Sequence, residues 1–168
     1  MLSVAEELGF KDIVTRATGD PEAWKHYLLI VSDRFTSSMS KNKTVEWFRE
    51  TFLPMQWHGF KPYEQEMLRK MDLLTDEVID GIGLGLSRAL LEKGLTPKLL
   101  IMDSTNFFTY IEEGEKLPQK GRSKEKRNDK NIINLALAVT QENIPFYTGC
   151  MGAANTMPRH SRSSWMAS

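Results

Sequence analysis

The chain has little of what several protein classes require. Its single cysteine, Cys150, excludes an internal disulfide framework and a cysteine-rich zinc site, and it fits a reducing compartment. No apolar run approaches the roughly 20 residues of a membrane-spanning helix. The first ten residues include Glu6 and Glu7, and they lack the apolar stretch of a signal peptide. These absences predict a cytoplasmic protein that has no membrane partner.

The patterns expected of common metal and nucleotide sites are also missing. His26, His58 and His160 are scattered along the chain without metal-ligand spacing, so we expect structural or surface roles for them. Three glycines, Gly81, Gly83 and Gly85, follow no predicted strand and match no phosphate-binding loop. We expect them to permit close packing of a helix instead.

The formal net charge of zero conceals an unequal distribution of charged residues. Residues 1–115 hold 13 basic and 19 acidic side chains, whereas residues 116–168 hold 9 basic and 3 acidic ones. A basic half next to an acidic half predicts that the basic half contacts a polyanion or the acidic half itself. A solvated loop and a disordered basic tail are the alternative explanation.

Residues 1–95 show helical periodicity throughout. The pattern predicts five helices: one over residues 2–17, one from Asp20-Pro21, one from Ser40 to Pro54, one from Pro62, and one from Thr75 or Asp76 to Gly94. The many aromatic and methionine side chains of these helices have the spacing of core residues. A boundary is expected at residues 93–98.

The pattern changes from helical to strand-like after the boundary. Apolar runs predict three neighbouring strands at residues 98–103, 132–140 and 144–149. The last two are separated by Gln141-Glu142-Asn143, which predicts an antiparallel hairpin. Residues 112–131 lack strong periodicity and are expected to form a long loop, of the kind that is usually functional or disordered.

Two features of this region predict chemistry. Asp103 ends the first strand and could bind a metal ion or cap a turn, and Asp129 could be a ligand, an orienting group for Arg127, or a cap. The 11 residues from 120 to 130 contain six cations, which are candidate phosphate contacts: Lys120, Arg122, Lys124, Lys126, Arg127 and Lys130. The aromatic residues Phe107, Phe108 and Tyr110 are expected to pack beneath this basic loop.

The same residues carry a family resemblance. Three features follow one another: Asp103-Ser104-Thr105-Asn106-Phe107 after an apolar strand, then Gly121, Ser123, Lys124, Arg127 and Asp129, and then an apolar strand with Ile144-Pro145. In this order they resemble the start of the catalytic domain of prokaryotic insertion-sequence transposases of the DDE type. The resemblance covers about 50 residues, from Leu99 to about Pro145. The resemblance ends after Gly149, because the family usually has a Pro-Gly-Asn-Thr-like turn there and this chain does not.

The resemblance implies an α+β protein, with a helical region at 1–95 and the first three strands of a ribonuclease-H-like sheet at 98–150. The sheet is then incomplete at its C-terminal side, and 151–168 is an irregular tail that fits an out-of-frame extension. It implies DNA cleavage and strand transfer, with Mg²⁺ or Mn²⁺ as cofactor and Asp103 as one metal ligand.

The implied partners are the transposon ends and the target DNA, with a homo-oligomer also possible in this family. The family's second Asp and its Glu have no counterpart in this sequence, so we expect the chain to be inactive alone. Two other functions stay open: a non-catalytic DNA-binding or interaction protein derived from a truncated transposase, and an unrelated small helical interaction protein.

Overall fold

The chain divides into two compact units, and the boundary in sequence lies between Leu95 and Thr96. The computed structural model describes residues 1–111, 119–120 and 129–151. The first unit is helical, and the second contains a small antiparallel sheet, which confirms the α+β class. None of the helices in the described part of the chain has both the length and the apolar character needed to cross a bilayer.

Helices and strands follow one another in two blocks. The helices are α1 (Leu2–Glu7), α2 (Phe10–Thr18), α3 (Ala23–Thr36), α4 (Lys41–Glu50), α5 (Leu53–Gln56), α6 (Glu64–Asp72) and α7 (Asp76–Glu92). The strands are β1 (Leu100–Thr109), β2 (Gln119–Lys120), β3 (Asn131–Thr140) and β4 (Pro145–Met151).

The first predicted helix is in fact two helices. Gly9 adopts a left-handed conformation with φ of +65° and separates α1 from α2. A residue with a Cβ atom is strained in this conformation, whereas glycine adopts it freely. The apolar spacing continues across the break, so periodicity alone could not locate it.

The larger hydrophobic cluster of the helical unit is built from α3, α4, α5 and α6, and a smaller one joins α2 and α3. Leu29 and Met67 are fully buried in the larger cluster, beside Phe48 and Trp57. The rings of Phe48 and Trp57 stack with their centroids 6.3 Å apart, and the edge of Phe60 meets both. Burial of each large side chain contributes roughly 1.5–3 kcal/mol, so this cluster is the main source of stability in the unit.

Some side chains predicted to lie in this core are exposed. Phe35 is 79% exposed at the end of α3, and Phe52 is exposed beside α5. The prediction was wrong at these positions because each lies at the end of a helix, where helical spacing continues but no neighbouring element of the described chain covers the side chain. Pro54 was also misassigned, since α4 ends at Glu50 and Pro54 lies in the first turn of α5.

Asp20 connects the start of α3 to α6. One of its carboxylate oxygens, Oδ1, accepts hydrogen bonds from the backbone N–H groups of Glu22 (2.8 Å) and Ala23 (3.2 Å). The other oxygen, Oδ2, forms an ion pair with Lys70 of α6. The prediction of Asp20 as the N-cap with Pro21 as the first helical residue was wrong, because α3 begins at Ala23 with Glu22 at the N-cap position. Asp20 instead accepts from the N–H groups of the turn that leads into the helix.

The last helix has the predicted ends. The hydroxyl of Thr75 accepts a hydrogen bond from the N–H of Val78, and Gly94 lies just beyond the helix with a φ of +82°. A Cβ atom on Gly85 would lie 2.6 Å from a methyl group of Ile13 in α2. The glycine therefore allows α7 to approach α2 closely, as predicted for this stretch.

The sheet has β3 in the middle, with antiparallel β1 on one side and antiparallel β4 and the short β2 on the other. The strands predicted at 132–140 and 144–149 are confirmed. The first strand was predicted to end at Asp103 but continues to Thr109. Its ladder with β3 runs unbroken from the Leu100–Thr140 pair to the Thr109–Asn131 pair, so polar residues that suggested a strand end lie within it.

The predicted hairpin between β3 and β4 is also confirmed. Thr140 closes it, because its N–H donates to the carbonyl of Ile144 (2.9 Å) and its carbonyl accepts from Asn143 (2.9 Å). Asn143 is left-handed, with a φ of +60°, which asparagine tolerates better than most residues. A bulge between Ala138 and Val139 shifts the register close to the turn.

Candidate nucleic-acid interface

Asp103 lies in the interior of β1, on an exposed position of the sheet. Its cross-strand partner in β3 is Leu137, which in turn pairs with Thr148 of β4. Because side chains alternate along a strand and cross-strand partners share a face, Asp103 shares a face with Ile101, Thr105 and Leu137. The carboxylate is thus presented on a largely apolar sheet face.

Asp129 lies far from Asp103, although the family motif contains both. Asp129 is an exposed turn residue two positions before β3, and β3 begins opposite Thr109. Asp103 and Thr109 are six positions apart along β1, which is on the order of 20 Å at about 3.3 Å per residue. Two metal ions in a catalytic pair are only about 3.5–4 Å apart, so the two carboxylates cannot share such a site in this arrangement.

The residues present do not make a complete metal centre. Within residues 1–111, 119–120 and 129–151, no three His, Cys, Asp or Glu side chains come together as a metal site would require. Asp103 supplies the oxygen donor that Mg²⁺ prefers. A two-metal site needs further carboxylates beside it, which these residues do not provide.

Two of the six candidate DNA-binding cations belong to the described part of the chain. Lys120 is in β2, opposite Asn131, and Lys130 directly precedes β3. Both therefore lie at the Thr109 end of the sheet, away from Asp103. Arg122, Lys124, Lys126 and Arg127 lie outside the described residues.

The aromatic residues near the basic stretch are more exposed than predicted. Phe107 is 54% exposed and Tyr110 is 69% exposed, and only Phe108 is half-buried. Period-two alternation puts Phe107 on the same face as Asp103, which the sequence could have indicated. Tyr110 follows the strand, and its surroundings depend on the pairing of β1 with β3, which local sequence does not encode.

The groups with shifted pKa values lie in the helical unit. The hydrogen bond from Lys70 lowers the pKa of Asp20, and burial lowers the pKa of His26. Burial raises the pKa of Tyr27, whose hydroxyl donates to the backbone carbonyl of Lys70 at 2.6 Å. Packing around α3 and α6 explains all three shifts, and we assign them to stability.

Compared with known proteins, the chain matches no family model, no curated sequence and no solved structure. The likeness to DDE-type transposases therefore depends on the motifs between Leu99 and Pro145 themselves. The candidate interface comprises the exposed carboxylate of Asp103 and, at the other end of β1, the aromatic and basic residues around Tyr110 and Lys130.

Proposed function

We propose that the chain is part of a DDE-type transposase, that its sheet unit is the start of a ribonuclease-H-like catalytic domain, and that it binds DNA. The observation that carries this proposal is the exposed position of Asp103 on the first of three adjacent antiparallel strands. The resemblance implies a catalytic carboxylate on the first strand. Asp103 then contributes one of the carboxylates that hold Mg²⁺ or Mn²⁺ for phosphoryl transfer.

The separation between Asp103 and Lys130 is compatible with a single DNA duplex. Nucleotides follow one another at about 3.4 Å along a strand. A distance on the order of 20 Å therefore corresponds to about six nucleotides. Lys120 and Lys130 would meet phosphates several positions away from the phosphate at Asp103, and such contacts position DNA without reading its sequence.

The same proposal predicts that this chain binds DNA but does not cut it. One carboxylate cannot fix two metal ions in the geometry that in-line displacement requires. A second candidate function, a non-catalytic interaction protein, is favoured by the exposed Phe35, Phe52 and Met55 of the helical unit. For that function Asp103 and the basic stretch have no special role.

A cleavage assay tests the proposal. The purified chain and its Asp103→Ala variant are incubated with end-labelled duplex DNA and Mg²⁺ or Mn²⁺, and binding is followed in parallel by fluorescence anisotropy. We expect both proteins to bind the duplex and to leave its ends intact. Cleavage that disappears in Asp103→Ala would contradict the claim that the site is incomplete. Absence of binding would contradict the DNA-binding function and favour the interaction protein.

The downstream genomic sequence gives an independent test of the family. We expect an Asp-containing strand pattern and a Glu-containing helix pattern beyond the codon for Ser168, in one of the reading frames. If no frame contains both patterns, the proposed origin from a transposase is wrong.

A further inference from the structure

The end of β1 presents an exposed aromatic ring beside a cation. Tyr110 follows directly after the strand, and the ammonium group of Lys130 lies 4.7 Å from its ring centroid. Phe108 meets the ring edge-on, with the centroids 6.1 Å apart. These contacts occupy one edge and one region above the ring, and most of the tyrosine surface stays accessible to solvent.

The backbone that carries this ring is held by two side chains. The amide of Asn131 donates to the carbonyl of Ile111 (3.1 Å), and the N–H of Ile111 donates to the hydroxyl of Thr109 (3.2 Å). Thr109 and Asn131 are themselves a cross-strand pair. These bonds fix the backbone beside Tyr110 while its ring remains exposed. A binding residue on a fixed backbone loses less conformational entropy when a ligand binds.

We propose that Tyr110 and Lys130 bind an unpaired nucleotide of single-stranded DNA, with the base stacked on Tyr110 and the phosphate at Lys130. An aromatic ring stacks on any base, and a neighbouring cation meets the backbone charge, which is the usual combination in proteins that bind single strands. Bases inside a duplex are already stacked on their neighbours, so the ligand must have an unpaired base.

Charge complementarity supports this ligand. Lys120 lies in β2 opposite Asn131, at the same end of the sheet as Tyr110. Six cations occur between residues 120 and 130, so the sequence that leads into Lys130 is strongly basic, whereas Glu112, Glu113 and Glu115 follow Tyr110. The inference rests on the proposed DNA-binding function and makes it more specific, because it assigns unpaired nucleotides to one end of the sheet.

The test uses a single-stranded oligonucleotide containing 2-aminopurine, whose fluorescence falls when it stacks on a ring. The full-length chain is compared with Tyr110→Leu, which removes the ring, and Tyr110→Phe, which keeps it. Tyr63→Leu is the matched control, because Tyr63 is an exposed tyrosine of the helical unit that accepts a hydrogen bond from Arg69. Circular dichroism melting verifies that each variant is folded.

We expect Tyr110→Leu to weaken single-strand binding about tenfold or more and to abolish the fluorescence quenching. Its log–log salt slope should be unchanged, because no charge is lost. Tyr110→Phe and Tyr63→Leu should behave as the unmodified chain does. Lys130→Gln should reduce the salt slope for the single strand by about 0.7.

Other outcomes separate this inference from the proposed function. If the chain binds duplex DNA but Tyr110→Leu leaves single-strand affinity and quenching unchanged, the stacking site is wrong and the proposed function is not affected. An equal loss of duplex and single-strand affinity in Tyr110→Leu would also overturn the stacking site. Tighter binding to RNA of the same sequence would overturn the assignment to DNA. Tyr110-dependent single-strand binding without duplex binding would support the stacking site and contradict the transposase proposal.

Discussion

The two units of this chain differ in how completely they bury their apolar side chains. The helical unit contains Leu29 and Met67 with no exposed surface, surrounded by aromatic rings. Among the described residues of the sheet unit, the buried apolar side chains are Ile132, Ala136, Ala138 and Phe146, and two of these are alanines. Stability should therefore come mainly from the helical unit, whereas the proposed binding function belongs to the sheet unit.

A core truncation should show the largest effect of this difference. Met67→Ala removes a fully buried side chain and should lower the free energy of unfolding of the helical unit by about 2–5 kcal/mol. Met55→Ala is the matched control, because Met55 is 74% exposed and its loss should change stability by no more than about 0.5 kcal/mol. Urea denaturation followed by circular dichroism measures both. Equal effects would show that the helical unit has no well-packed core.

Removing the carboxylate of Asp20 should have the next largest effect. Asp20→Ala removes the acceptor of the Glu22 and Ala23 N–H groups before α3 and the partner of Lys70, and we expect a loss of about 2 kcal/mol. Glu22→Ala is the control, because the pair between Glu22 and Lys25 is exposed and should contribute at most about 1 kcal/mol. A loss in Asp20→Ala no greater than that in Glu22→Ala would contradict the structural role assigned to Asp20.

The same substitution at two glycines of α7 should change stability differently, by on the order of 1 kcal/mol. Gly83→Ala meets no atom within 4 Å and should stabilise the helix by up to about 1 kcal/mol. In Gly85→Ala the new methyl group would meet Ile13, so the gain in helix propensity should be cancelled or reversed. Thermal melting of the two variants checks the sign. Equal stabilisation would mean that α7 does not pack closely on α2.

The buried histidine should make the stability of the helical unit depend on pH, and this effect should be smaller than those of the substitutions above. His26 donates through Nδ1 to the carbonyl of Glu22 (3.2 Å), and its Nε2 has no hydrogen-bond partner within the part of the chain that the structure describes. Burial lowers its pKa, so the unfolded chain binds a proton first as the pH falls. Stability should decrease below the unfolded pKa of about 6.5.

His26→Leu identifies the source of that dependence. We expect the variant to lose the decrease in stability that begins at about pH 6.5. The lowered pKa of Asp20 acts in a different range, since its contribution is lost only as the pH falls below about 3.9. Urea midpoints at a series of pH values separate the two effects. An unchanged profile in His26→Leu would assign the dependence to another group.

The parts of the fold that sequence predicted are those set by local chemistry. The hairpin after Thr140 and the cap at Thr75 depend on residues within a few positions of one another. The extent of β1 depends on its pairing with β3, about 30 residues away, which local sequence does not encode. The sequence predicted that Asp103 lies on the first strand. Its distance from Asp129 depends on the register between β1 and β3, which the sequence did not predict.

The aromatic residues illustrate the same limit. Phe107, Phe108 and Tyr110 form one apolar segment in sequence, and an apolar segment normally predicts burial. Alternation along β1 divides the first two between opposite faces, and the bend after Thr109 leaves Tyr110 exposed beside Lys130. Whether each of them is buried was therefore decided by neighbouring strands.

The most direct test of the central claim, that the sheet unit binds DNA, is the salt dependence of duplex binding. If about four cations of the stretch from Lys120 to Lys130 meet phosphates, the log–log slope should be roughly −3.6. The triple variant Lys124→Ala, Lys126→Ala and Arg127→Ala should flatten it by up to about 2.7.

The matched control removes three exposed lysines of the helical unit, Lys43, Lys61 and Lys93, and changes the net charge equally. Fluorescence anisotropy at several salt concentrations measures all three proteins. We predict a flattened slope in the first triple variant and an unchanged slope in the control. Equal slopes in all three proteins would contradict the account, because DNA would then not be held by the basic stretch of the sheet unit.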